Sequence, residues 1–105
     1  LRSYVRERGL LSLNEAIRKM SLMPAQTLEA FVPQMRNKGR LQVGMDADIT
    51  IFDPETVKDN STPQYGARPT TGIPYVLVNG TIVVKDSKVL KNVYPGQPIR
   101  KAVLN

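Results

Sequence analysis

The sequence predicts an α+β chain, with two or three short helices followed by a mainly-β portion that amounts to a partial sandwich. Three observations predict it. Apolar residues recur at helical spacing in the first third of the chain, and they alternate or run in β-branched blocks afterwards. About four strand-like segments occur, too few to close two sheets. The change of period sets the organisation: residues 1–37 form a helical segment, and residues 38–105 form a β-rich portion interrupted by a long loop at 54–74.

Residues 1–8 have helix-compatible composition and read as the end of a longer helix, stopped by Gly9. In the next stretch Ser12 and Glu15 have the spacing of a capping box, and Leu13, Ala16, Ile17 and Met20 fall on one helical face. A lone Ser and Glu without His or Lys beside them make a poor catalytic pair, so capping is the reading that fits. Pro24 opens a second helical segment with Ala25, Leu28 and Glu29, and Pro33 ends it. A polar, basic linker over 34–38 then delivers the chain to Gly39.

Residues 38–54 are the stretch around which the chain is organised. Gly44 marks a turn, Ala47, Ile49 and Ile51 alternate with Asp48, Thr50 and Phe52, and Asp53-Pro54 stops the strand. The loop over 54–74 is rich in Pro, Thr, Gly, Asn and Ser and is long for a plain connection; Tyr65 and Arg68 are its candidate anchors to a partner surface. Asn79-Gly80 between two β-branched runs predicts a type I′ hairpin. In that hairpin Val78 faces Thr81 and Val76 faces Val83, while Leu77 faces Ile82 and Tyr75 faces Val84. Both faces are apolar, which predicts a covering layer on each. Asp86-Ser87 turns the chain into a short strand at 88–90, Pro95-Gly96-Gln97-Pro98 forms another turn, and residues 99–104 form an extended tail.

Composition narrows function by exclusion. At 105 residues the chain is one small domain able to bury roughly 60 to 70% of its unfolded surface. There is no cysteine, so disulfides, thiolate nucleophiles and cysteine-based metal sites are excluded; there is no histidine, which removes the commonest acid–base group and zinc ligand. No apolar run is long enough for a membrane helix, and the chain reads as soluble, untargeted and cytoplasmic. The net charge of +6 raises nucleic acid as a partner. The basic residues are broken up by apolar ones and lack interleaved aromatics, so solvated-surface basicity explains them better than polyanion binding.

These segments in this order resemble the C-terminal end of the metal-dependent amidohydrolases, most closely the N-acyl-D-amino-acid deacylase (D-aminoacylase) family. The matching residues run from Leu11 to Met20 with Pro24-Ala25, then Lys38-Gly39-Arg40-Leu41, Gly44 and Asp46-Ala47-Asp48. Further on they are Phe52-Asp53-Pro54, Thr71-Gly72-Ile73, Val76-Leu77-Val78-Asn79-Gly80 and Pro95-Gly96. Dihydroorotases, hydantoinases and related deaminases look similar in this region. The chain departs from the pattern at residues 31–37, where relatives have a leucine-glycine pair and a short turn.

The resemblance implies a parent enzyme with a TIM-like barrel holding one or two metal ions, zinc in the parent family, and a small composite β-sandwich built from both ends of the polypeptide. It implies hydrolysis of a C–N bond by a metal-activated water, with ligands at barrel strand ends upstream of these residues. By that reading the chain contributes no catalytic, cofactor-binding or metal-binding residue. Asp46 and Asp48 match the family's turn-and-strand segment rather than its metal-binding Asp, and accept backbone N–H groups around the Gly44 turn. The expected partner is the missing barrel portion, or a second copy of the chain in a homodimer; the alternative function is a self-associating β-rich interaction module without enzymatic activity.

Overall fold

The computed structural model describes residues 1–100. The extended tail expected at 99–104 therefore lies mostly outside the described residues. The chain is α+β: a single turn of π-helix over Arg2–Glu7, α1 over Leu13–Met20, α2 over Leu22–Leu28, a 3-10 turn over Pro33–Asn37, and four strands. The strands β1 (Ile49–Ile51), β2 (Tyr75–Val78), β3 (Thr81–Lys85) and β4 (Lys88–Val89) form one antiparallel sheet in the order β1-β2-β3-β4.

α1 begins where the capping residues place it. Ser12 is extended, and its side-chain oxygen accepts the Glu15 N–H at 3.2 Å, satisfying one of the first-turn donors that have no partner inside the helix. α2 begins two residues before Pro24, which therefore sits within the helix rather than opening it. Its missing N–H falls in the first turn, where no intrahelical acceptor is wanted. α2 ends at Leu28, before Pro33 is reached, and Pro33 instead starts the 3-10 turn, so the linker expected at 34–38 is not free chain.

The hairpin turn has positive φ at Asn79 (49°) and Gly80 (78°), as a type I′ turn requires. Next to the turn the register is the predicted one, Val78 with Thr81 and Leu77 with Ile82. Further out, Val76 pairs with Val84 instead of Val83, because the register shifts between Val76 and Leu77. A continuous β-branched run gives no periodic signal for such a shift, so two-residue alternation extrapolated from the turn misses it. Asp86 and Ser87 also have positive φ and return the chain into β4, whereas Pro95–Pro98 takes no assigned turn.

The loop at 54–74 is clipped shut at its base. The Asp53 N–H donates to Gly72 O at 2.9 Å, and Lys58 and Thr71 exchange both backbone bonds at 2.9 and 3.0 Å. Further out, the Asn60 side-chain amide donates to Pro69 O at 2.8 Å and the Ser61 hydroxyl to Gly66 O at 3.1 Å. A segment that looks structureless by periodicity is thus ordered by hydrogen bonds.

Little of the apolar surface is covered. Among the described residues the buried hydrophobic side chains are Ala16, Ala25 and Val57, while fifteen large hydrophobic residues are exposed, with Leu41 at 86% and Val43 at 102%. The accessible surface is 8282 Å², against about 5,900 Å² for a compact monomer of this mass. The radius of gyration is 15.7 Å, against about 13 Å for a compact domain of this length. All four residues of β2 are only half-buried, and the layer predicted over each face of the hairpin is not supplied by the described residues.

Candidate functional site

The residues around Lys38 form a cluster of charged side chains at the entrance to β1. The 3-10 turn delivers Lys38 to the side of β1, and its ammonium lies 2.9 Å from Asp46 Oδ2 and 2.5 Å from Asp48 Oδ2. The other oxygen of Asp48, Oδ1, accepts the Asn79 backbone N–H at 2.8 Å. One residue on, the Gly80 N–H donates to Ala47 O at 2.9 Å. The hairpin turn is thereby tied to the entrance of β1. Asp48 does accept a backbone N–H, but from the distant hairpin rather than from the turn at Gly44. Lys38 was missed as its partner because ten residues of separation correspond to no local period.

The hydrogen bond from Lys38, and then the Asn79 N–H, hold the Asp48 carboxyl below its ordinary value. The hydrogen bond that Lys38 donates to Asp48 raises its ammonium above the ordinary value; desolvation opposes this, and the hydrogen bond to Asp46 adds a lesser upward contribution. A depressed carboxyl contributes stability above its unfolded pKa, and this is lost as pH falls through the folded value. A raised ammonium contributes stability below its unfolded pKa, and this is lost as pH rises through the folded value. The clasp therefore weakens on acidification below the ordinary aspartate value of 3.8 and on alkalinisation above the ordinary lysine value of 10.5. Replacing Lys38 with Met removes the largest cause of the Asp48 shift. The Asp48 pKa is then expected to rise, as measured by carboxyl carbon chemical shifts through an acid titration.

A second clasp joins the helices to the linker. Arg40 Nη2 donates to Glu29 Oε2 at 2.6 Å, while Nη1 reaches the carbonyls of Arg36 (2.7 Å), Lys38 (3.1 Å) and Met35 (3.2 Å). The guanidinium satisfies the open carbonyl end of the 3-10 turn. Tyr65 and Arg68, expected to anchor the loop to a partner, stack on each other, with the guanidinium carbon 4.7 Å from the ring centroid. Between the helices and the sheet runs an open cleft of about 960 Å³, whose wall includes Tyr4, Ile17, Met20, Ile49, Phe52 and Ile73. It is largely apolar.

The described residues do not fit a metal ion. Asp46 and Asp48 are the nearest thing to a carboxylate pair, and the Lys38 ammonium occupies the position between them that a cation would take. Among the described residues no group of three or more His, Cys, Asp or Glu side chains converges. No helix of the described residues is long and apolar enough to cross a membrane.

Comparison with known proteins places these features in a family. The model of the amidohydrolase family matches residues 2–84. The chain is 41% identical over 80 residues to N-acyl-D-glutamate deacylase of Alcaligenes xylosoxydans xylosoxydans, covering 76% of this chain and 15% of that protein. To D-aminoacylase of the same organism it is 36% identical over 80 residues, covering 16% of that protein. To dihydroorotase of Acetivibrio thermocellus it is 32% identical over 98 residues, covering 22% of that protein. A crystal structure of D-aminoacylase superposes with a TM-score of 0.73 at 32% identity, covering 85% of this chain and 18% of that one. A further D-aminoacylase structure, from work on that enzyme's binuclear metal centre, superposes with a TM-score of 0.74. The chain thus spans about a sixth of the length of the deacylases it matches, and by sequence and fold it belongs to the amidohydrolase family, close to D-aminoacylase.

Proposed function

We propose that this chain is the C-terminal, non-catalytic portion of an N-acyl-D-amino-acid deacylase-like amidohydrolase, and that it is inactive alone. The observation that carries the reading is the Lys38 clasp. The Asp46–Asp48 carboxylate pair is bridged by the Lys38 ammonium and used to fasten the hairpin to β1. In this reading zinc and the hydrolytic water belong to an upstream barrel portion, residues 38–105 form one part of a composite β-sandwich, and the open apolar surface is where the remainder of the enzyme packs.

The test uses two samples. The purified 105-residue chain, given zinc and N-acyl-D-glutamate, is expected to release no D-glutamate and to retain no stoichiometric zinc after dialysis. A deacylase lacking its matching segment, supplied with this chain in trans, is expected to regain zinc-dependent hydrolysis. Zinc-dependent deacylation by the chain alone would overturn the proposal.

The large uncovered surface also favours a second reading, in which another copy covers it. The excess of about 2,400 Å² over a compact monomer is enough for a standard stable interface. Sedimentation equilibrium separates the two: a tight homodimer that the deacylase remainder cannot displace supports a self-associating module.

A further inference from the structure

We propose that Asn79-Gly80 is a latent deamidation site, held unreactive by the two hydrogen bonds that tie the hairpin turn to the entrance of β1. Asn-Gly is the dipeptide in which deamidation meets least steric resistance, because glycine leaves the following peptide nitrogen unhindered. In the reaction the Gly80 backbone nitrogen loses its proton and attacks the Asn79 side-chain carbonyl carbon. A carbon–nitrogen bond forms, the bond to the side-chain amide nitrogen breaks, and ammonia leaves. Water then opens the cyclic imide at either carbonyl, giving aspartate or isoaspartate. Only water and hydroxide are needed.

Asn79 and Gly80 are both exposed, so solvent access is no barrier. The geometry supplies one instead. The nucleophile is the Gly80 nitrogen, and its proton is committed to Ala47 O at 2.9 Å. The peptide on the other side of Asn79 is held as well, its N–H donating to Asp48 Oδ1 at 2.8 Å. With both flanking peptide units fixed to the β1 entrance and Asn79 at a φ of 49°, the nitrogen can neither ionise nor swing toward the side chain until the turn lifts away. Of the other asparagines before the final residue, Asn14, Asn37, Asn60 and Asn92 precede Glu, Lys, Ser and Val, and none is followed by glycine.

The product would lock the turn open. Isoaspartate adds a backbone methylene to a two-residue turn whose register is set by its length. Either product also places a new carboxylate next to Asp48, where like charges repel. A reversible opening of the hairpin from β1 is thereby converted into a permanent one.

The experiment follows Asn79 by peptide mapping, which separates asparagine, aspartate and isoaspartate forms, during incubation of the purified chain at mildly alkaline pH. A synthetic peptide of residues 75–85 is the unprotected reference, since an isolated hairpin is marginal in water. Asn79 in the full chain is expected to react at least about tenfold more slowly than in the peptide, corresponding to the loss of one charge-assisted hydrogen bond. Asp48→Ala is expected to bring the rate close to that of the peptide. Hydrogen exchange of the Gly80 amide is measured in the same samples, and its rate is expected to rise and fall with deamidation across wild type and variant. This keeps the test decisive even if Asp48→Ala loosens the whole sheet. Deamidation of the wild-type chain at the peptide rate while the Gly80 amide remains protected would overturn the proposal, as would an Asp48→Ala chain with an unprotected Gly80 amide and an unreactive Asn79.

Discussion

In scanning calorimetry the isolated 105-residue chain is expected to unfold in a broad transition with well under half the enthalpy of a compact domain of its length, which would be about 70 kcal/mol near 60 °C. Cooperative unfolding requires many side chains to lose their neighbours together, and among the described residues the buried apolar ones are two alanines and one valine. The expected consequences are binding of a hydrophobic dye and protection of amides confined largely to the hairpin. Supplying the remainder of a deacylase is expected to sharpen the transition, because burial of Ile17, Met20 and Ile82 would add the missing cooperative contacts. A sharp two-state transition of the full expected enthalpy in a monomer would show that the exposed surface is natural to a self-standing domain.

Gly72→Ala is expected to open the base of the 54–74 loop, at a cost of about 3 kcal/mol or more. Gly72 has a φ of 83°, and an added Cβ would lie 2.4 Å from both the nitrogen and the Cα of Val57. The left-handed conformation alone costs an alanine about 1–2 kcal/mol, and overpacking against backbone adds about 1–3 kcal/mol. The clash falls beside one of the few buried side chains and next to the Lys58–Thr71 bridge, so the strain cannot relax without breaking that bridge. Exchange protection of the Lys58 and Thr71 amides is the measurement. Gly66→Ala is the control, since no atom lies within 4 Å of a Cβ built there and its φ is not in the left-handed range. Protection that survives Gly72→Ala would show that the loop is held by contacts other than its base.

The local chemistry of the chain was legible where neighbouring residues decide it. Ser12 caps α1 because the Glu15 N–H it accepts lies one helical turn on, and Asn79-Gly80 turns the hairpin because its backbone preference is intrinsic to those two residues. The register shift at Val76 was not legible, since in the unbroken run Tyr75-Val76-Leu77-Val78 every position is equally apolar. Nor was the closed base of the long loop, which is made by backbone groups that any sequence carries.

The sequence by itself determined the order of helices and strands, the absence of histidine and cysteine, and the ordered motifs by which the chain belongs to the amidohydrolases. Periodicity, composition and turn preference are short-range properties, and they survive in the one-dimensional string. Only the tertiary structure decided what Asp46 and Asp48 do. From sequence they were two carboxylates beside a strand; in the fold Lys38, ten residues before Asp48, bridges them, and Asn79, thirty-one residues after it, donates to one of them. It also decided that the helices and sheet leave most of their apolar residues only partly covered or exposed. Burial and charge pairing depend on which distant segments meet in space, a relation that local spacing does not encode.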